Sequence, residues 1–235
     1  MNEATLITGA SDGIGRAILE RVAADGATVV NLDARPPQAG AAGVHHAVDL
    51  DDAAAVREAM SEICARFAIT RLVNNSIAAA RLPIERIGTH AVDATRRTGI
   101  ETALLCVNAV LPGMRKRGFG RIVNIAGATV TGREGHTLDA ITRGALVAMT
   151  RTWALEFTHF AITVNAIAVG RIDADPQGAA RDAAGNPVHG TPTVRTGRPQ
   201  DVAQAAAFFL DARSAFITGQ LLFVCGGQTL GVQPA

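Results

Sequence analysis

The 235-residue chain contains no tyrosine, and of its 22 basic residues only Lys116 is a lysine. Any mechanism that needs a tyrosyl hydroxyl is excluded outright. Three cysteines, Cys64, Cys106 and Cys225, form an odd set at wide spacings. That pattern fits neither a disulfide framework nor a metal-site spacing, and the three read as reduced packing residues. No 18-residue apolar run is present, and the opening MNEATLITGA enters a strand without the basic segment and apolar stretch of a signal peptide. The expected location is the cytoplasm, with no membrane contact. Charge of one sign is also missing, since 22 Lys and Arg against 21 Asp and Glu leave a formal +1. A nucleic-acid partner or an electrostatic membrane anchor has no support in that balance. At 48% hydrophobic and 18% charged, residues 1–235 are expected to form one compact domain around an ample core.

Short apolar runs alternate with longer stretches of helical periodicity. Strands are predicted at Ala4–Thr8, Thr28–Leu32, Val44–Val48, Arg71–Asn74, Arg121–Ile125, Ile162–Ile167 and Leu221–Val224. Between them, helices are predicted near Gly13–Ala24, Ala53–Phe67, Val92–Arg117, Leu138–Thr158 and Gln200–Leu210. Strands rich in Val and Ile without clean alternation imply burial on both sides, so the fold class is α/β: about seven parallel strands covered by helices on both faces. The segment Arg171–Thr193 is rich in Gly and Pro, lacks an apolar pattern and reads as a mobile loop.

Directly after the first strand stands TGASDGIG, Thr8 to Gly15, followed by helical residues. Glycines 9, 13 and 15 permit a tight turn and the close approach of a pyrophosphate to a helix N-terminus, where free N–H groups and the helix dipole favour negative charge. Gly9, Ser11, Asp12, Gly13, Ile14 and Gly15 are therefore candidate cofactor contacts. Eighteen residues past Gly15, Asp33 ends the second strand, where a carboxylate can accept from an adenosine ribose and repel a 2′-phosphate. This favours NAD(H), while Arg35, two residues on, leaves NADP(H) as the alternative.

These motifs resemble the short-chain dehydrogenase/reductase family. VDL, with Asp49 and Leu50, resembles its adenine-contacting site, LVNNSI its LVNNAG strand end, VNAIAVG its VNAIAPG, and GRPQDVAQAAAFFL with FITGQLLFVCGG its C-terminal signature. The resemblance implies a single Rossmann-type doubly wound domain. It also implies further cofactor contacts at Asn75, Ser76, Ile77, Arg143 and Ile172, a small-molecule ligand, and a homo-oligomer, either tetramer or dimer.

The same resemblance implies an Asn-Ser-Tyr-Lys tetrad, and all four positions differ. They fall on Gly99, on Ala126 or Gly127, on Asp139 and on Arg143, with Thr129 a hydroxyl close to the Ser position. Ile77 places a branched side chain where the family has Gly. An Asp beside a guanidinium accepts a proton but is poorly able to hold one, which would suit alcohol oxidation better than carbonyl reduction. Asp139 and Arg143, four apart on one helix, also read as a plain surface ion pair. His136 is the nearest residue of suitable acidity, though a loop His is more often solvated. The consecutive pair Arg96 and Arg97 reads mainly as a solvated face.

Three readings follow: an NAD(H)-binding oxidoreductase of this family with its proton-transfer residues replaced; a non-catalytic binding or scaffold subunit beside an active homologue; and a remodelled enzyme using Asp139 and Arg143. For the last, the VDATRRTGIETALLC stretch carries a weaker resemblance to members that oxidise cyclic diols.

Overall fold

The computed structural model describes residues 2–75, 81–173, 192–193 and 195–230. Its seven strands form one parallel sheet: β1 (Asn2–Thr8), β2 (Thr28–Asp33), β3 (Val44–Ala47), β4 (Phe67–Asn74), β5 (Gly120–Gly127), β6 (Ile162–Val169) and β7 (Leu221–Val224). The helices are α1 (Gly13–Ala24), α2 (Ala53–Arg66), α3 (Thr89–Arg96), α4 (Thr102–Arg117), α5 (Thr137–Phe157) and α6 (Pro199–Leu210).

Neighbouring residues in each strand serve opposite faces, because successive Cβ atoms alternate across a pleat. Leu6, Val30, Leu72 and Ile122 pack with α2, α4 and α5, whereas Ile7, Val29, Val73 and Val123 pack with α1 and α6. Both sides of the sheet are thus buried, as the unbroken apolar strands require. The strand order is β3-β2-β1-β4-β5-β6-β7. Chain direction across the sheet reverses between β1 and β4, and a crevice at the carboxyl ends of strands opens where such a reversal occurs.

The end of the sheet away from that crevice is closed by two arginines. Arg71 and Arg121 are register partners on β4 and β5, and both guanidiniums lie over the Phe119 ring. Arg71 donates to the Leu210 carbonyl, and Arg121 to those of Asp211 and Ala212, so the pair satisfies the carboxyl end of α6. Burial, and then the neighbouring Arg71 charge, lower the Arg121 pKa against the pull of Asp211.

Two expectations change. Phe67 opens β4 directly from α2, without a connecting turn, so this strand begins four residues earlier than predicted. The single long helix expected over Val92–Arg117 is interrupted by a π-helical turn, Arg97–Glu101. Gly99 sits in that turn, and a Cβ there would stand 2.1 Å from Thr142 Cγ2 on α5. The absence of a side chain lets the turn approach α5, a packing effect that helical periodicity does not register. Cys64, Cys106 and Cys225 are free. Among the described residues no helix is long and apolar enough to cross a membrane. Most of the predicted mobile loop, residues 174–191, lies outside the described residues.

Candidate cofactor and ligand site

The turn between β1 and α1 is fixed by groups that converge from three strands. Gly9 and Gly13 have φ of +63° and +53°, a region costly for residues with a Cβ. A Cβ on Gly15 would stand 2.1 Å from the Gly9 carbonyl oxygen and 2.5 Å from Asn75 Nδ2. Asn75, after β4, donates from its side-chain amide to the Thr8 and Gly9 carbonyls, while its backbone N–H donates to Thr8 Oγ1. Asn31, buried in β2, accepts from Ala10 N and donates to Ser11 Oγ. This prop was missed in the sequence, although an amide in the apolar strand TVVNLD was a readable signal.

Asp33 ends β2 in a buried position, accepting from Ser11 N at 3.0 Å and from Arg35 N at 3.0 Å. The Arg35 guanidinium binds Asp12 in a fork, at 2.7 and 3.1 Å, with its Nε 4.0 Å from Asp33 Oδ1. Leu50 is buried beyond β3, and Asp49 beside it is exposed. No side chain caps the N-terminus of α1, whose first-turn amides therefore face the crevice. Below it lies a chamber of about 300 Å³ lined by Ile14, Asn75, Ile125, Arg143 and Ile172 among others. An uncapped helix start, a glycine cradle and a chamber at the β1/β4 switch point fit a dinucleotide, with the nicotinamide end toward Arg143. The structure brings Gly9 to Gly15, Asp33, Asn75, Arg143 and Ile172 to this crevice; Ser76 and Ile77 lie outside the described residues.

A second cavity of about 770 Å³ adjoins the chamber, and Arg143 lines both. Gly127, Asp139 and Arg143 line it, and Gly99 does not. Asp139, on the first turn of α5, is the inner ion-pair partner: Arg143 Nε lies 2.5 Å from its Oδ1, and Thr129 Oγ1 donates to its Oδ2 at 2.5 Å. The two side chains are only 12% and 21% exposed, so the pair is no solvated surface bridge. The Arg143 stem crosses Gly127 at the end of β5, where a Cβ would meet its Cδ at 2.4 Å. Thr142 fills the space beside Gly99 in the same way. At Gly127 and at Gly99 a neighbouring side chain thus occupies the room that a side chain of the residue's own would need. His136 is buried at the start of α5, its Nδ1 2.8 Å from the Glu134 carbonyl, and lines the same cavity. Arg96 is held outside by Glu101, as a solvated face requires.

Three arginines that the sequence reading did not single out, Arg81, Arg133 and Arg171, line this cavity. Only the fold could reveal them, because they come from three loops separated by dozens of residues.

Residues 9–229 match the family model described as Enoyl-(Acyl carrier protein) reductase. The chain is 35% identical over 238 residues to the (2S)-[(R)-hydroxy(phenyl)methyl]succinyl-CoA dehydrogenase subunit BbsC of Thauera aromatica, covering 95% of this chain and 93% of that one. It is 32% identical to subunit BbsD of the same organism, covering 97% of each. Among solved structures, a gluconate 5-dehydrogenase from Burkholderia cenocepacia in complex with NADP and tartrate superposes with a TM-score of 0.87 at 31% identity, over 98% of this chain and 96% of that one. The chain belongs to the short-chain dehydrogenase/reductase family of oxidoreductases.

Proposed function

We propose that this chain is an NAD(H)-binding subunit that seats nucleotide and ligand, lacks a proton-transfer group of its own, and works beside a homologue with a complete tetrad. The observation that carries this reading is the closed Asp139–Arg143–Thr129 cluster. Both Asp139 oxygens accept within this cluster, one from Arg143 and one from Thr129. Any substrate hydroxyl must compete with the guanidinium and the Thr129 hydroxyl for the remaining lone pairs, and the cluster offers no counterpart of a tyrosyl proton donor. Bound nicotinamide supplies hydride chemistry; the chain's own residues bind and orient it. General acid–base catalysis is typically worth a factor of about 10²–10⁴, and positioning is lost with it. Two of its relatives are named as subunits of one dehydrogenase, which supports pairing with a second chain.

Selectivity for NAD(H) rests on Asp33 and on Arg35. Asp33 stands at the ribose end of β2, and the cation that could receive a 2′-phosphate is already held by Asp12. Titration of the pure chain with NADH and NADPH, followed by turnover assays alone and after co-expression with a tetrad-complete homologue, tests the whole reading. NADH binding with turnover only in the co-expressed complex is expected. No NADH binding at millimolar concentration would sink it.

A second reading is favoured by His136 and Thr129 lining the same cavity as Asp139: oxidation of an alcohol with Asp139 as base. Turnover by the chain alone that vanishes in Asp139→Asn would establish that reading and reject the first.

A further inference from the structure

Four guanidiniums surround the 770 Å³ cavity: Arg81, Arg133, Arg143 and Arg171. Among the described residues its carboxylates are two, Asp139 and Asp173. Arg143 is neutralised by Asp139. Among the described residues, Arg81, Arg133 and Arg171 have no carboxylate within ion-pair distance, in contrast to Arg16, Arg21, Arg35, Arg96, Arg195 and Arg213. Other surface arginines, Arg57 and Arg151 among them, are also without such a partner; what sets these three apart is that one cavity gathers them.

The three unpaired cations are also placed by structure. A bridge joins Leu82 to His136, with Leu82 N donating to the Gly135 carbonyl, and it brings the Arg81 and Arg133 loops together. Arg171 is held from the other side, where its carbonyl accepts from Gly197 N and the following Ile172 bridges to Gly197. Arg81 and Arg133 also line an outer groove of about 630 Å³, so they stand at the junction between that groove and the inner cavity. The spaces thus run in sequence from nicotinamide chamber to cavity to groove, with Arg143 at the first junction and the unpaired Arg81 and Arg133 at the second.

Like charges gathered around a concave space raise its affinity for the opposite charge, and a guanidinium fork matches a planar oxyanion with two parallel hydrogen bonds. We infer that the cavity takes a ligand bearing a carboxylate, held by Arg81 and Arg133 at its outer end and by Arg171 from the opposite wall, with the uncharged part of the ligand toward Arg143 and the nicotinamide chamber. This deepens the proposed function, since it names the ligand class of the same site, but it concerns equilibrium binding and is independent of turnover.

The test is calorimetric titration of the full chain, saturated with NAD, with succinate, with its uncharged diamide and with inorganic phosphate. NAD saturation keeps anions from the helix N-terminus at the pyrophosphate position. If the chain does not take up NAD, the proposed function fails, and the variants below still localise any anion to this cavity. Succinate is expected to bind, the diamide to bind at least about tenfold more weakly, and Arg133→Gln and Arg171→Gln each to weaken succinate about tenfold, the loss of one charged hydrogen-bonding partner. Arg57→Gln, on α2 and outside the cavity, should leave binding unchanged. Retention of the protein's melting temperature in the two cavity variants controls for unfolding. Equal binding of succinate and the diamide, equal losses in Arg57→Gln and the cavity variants, or no succinate binding at all would overturn the inference. Phosphate binding with no succinate binding would overturn the carboxylate assignment.

Discussion

The most informative side chains here are those whose hydrogen bonds are already spent. Arg35 and Asp12 are both well exposed, so their fork contributes little to stability. On the proposed reading its consequence is selectivity, because a guanidinium committed to Asp12 would be withdrawn from a phosphate beside Asp33. Asp12→Ala should release it. The ratio of NADPH to NADH affinity is then expected to rise about tenfold, the scale of one charged hydrogen bond, with the melting temperature unchanged. Parallel fluorescence titrations check this, and an unmoved ratio would show that Arg35 plays no part. Cys106 carries a different kind of consequence. Burial first, and the nearby Cys64 second, push its thiol up to about 12 from an ordinary 9.0. Below pH 9 it is protonated whether the chain is folded or not, and pH has no leverage through it. Above that, the unfolded chain releases a proton that the folded chain retains, so stability falls by about 1.4 kcal/mol per pH unit until about pH 12. Urea unfolding at pH 9.5, 10.5 and 11.5 should show this slope in the native protein and its loss in Cys106→Val; parallel curves would contradict it.

Elements were more legible than the contacts between them. TGASDGIG and Asp33 lie together in the crevice because a glycine turn after a strand has few other uses, and the runs of Val and Ile marked strands buried on both faces. Phe67 was assigned to a helix because its apolar side chain fits either period. The π-helical turn at Arg97–Glu101 left no periodic trace at all; it depends on α5, more than 40 residues onward, packing where Gly99 has no side chain. The cavity arginines were hidden for the same reason. Local pattern reports which face is buried, and it cannot report which loops meet. The π-helical turn makes a firm prediction. Gly99→Ala drives a Cβ into Thr142 and should cost about 1–3 kcal/mol of stability, as overpacking does. Thr142→Ser removes the clashing methyl. The double variant Gly99→Ala/Thr142→Ser should recover most of that loss, giving a coupling well above the few tenths expected of independent sites. Additive losses in chemical denaturation would mean that the turn is shaped by something other than this contact. The same reasoning applies at Gly127, where a side chain would need the space of the Arg143 stem.

Considered as a whole, the molecule has a sheet that ends in a short edge strand, β7, whose Leu222 and Phe223 are more than one-third exposed. Phe208 on α6, which packs against β7, and the fully exposed Phe216 before the strand extend the same apolar region. Unpaired edge strands and clustered apolar side chains are liabilities in a monomer, and natural proteins cover them. The proposed function supplies the cover: a second chain of the same fold. On that proposal, a homologue with a complete tetrad would bring the proton-transfer group, while this chain would contribute surface and a nucleotide site. Native mass spectrometry of the chain alone and after co-expression distinguishes the arrangements. Mixed oligomers that contain both chains, weakened when Phe208 and Phe216 are both changed to Asp, are expected. Purely homomeric assemblies that refuse the homologue would reject the subunit reading, and mixed oligomers indifferent to the two Asp substitutions would move the interface elsewhere. Phe216 is fully exposed and Phe208 half exposed, so the two Asp substitutions should leave the separated chain folded, with an unfolding free energy within about 1–2 kcal/mol of the native value, and a loss of pairing by a folded chain is the decisive result.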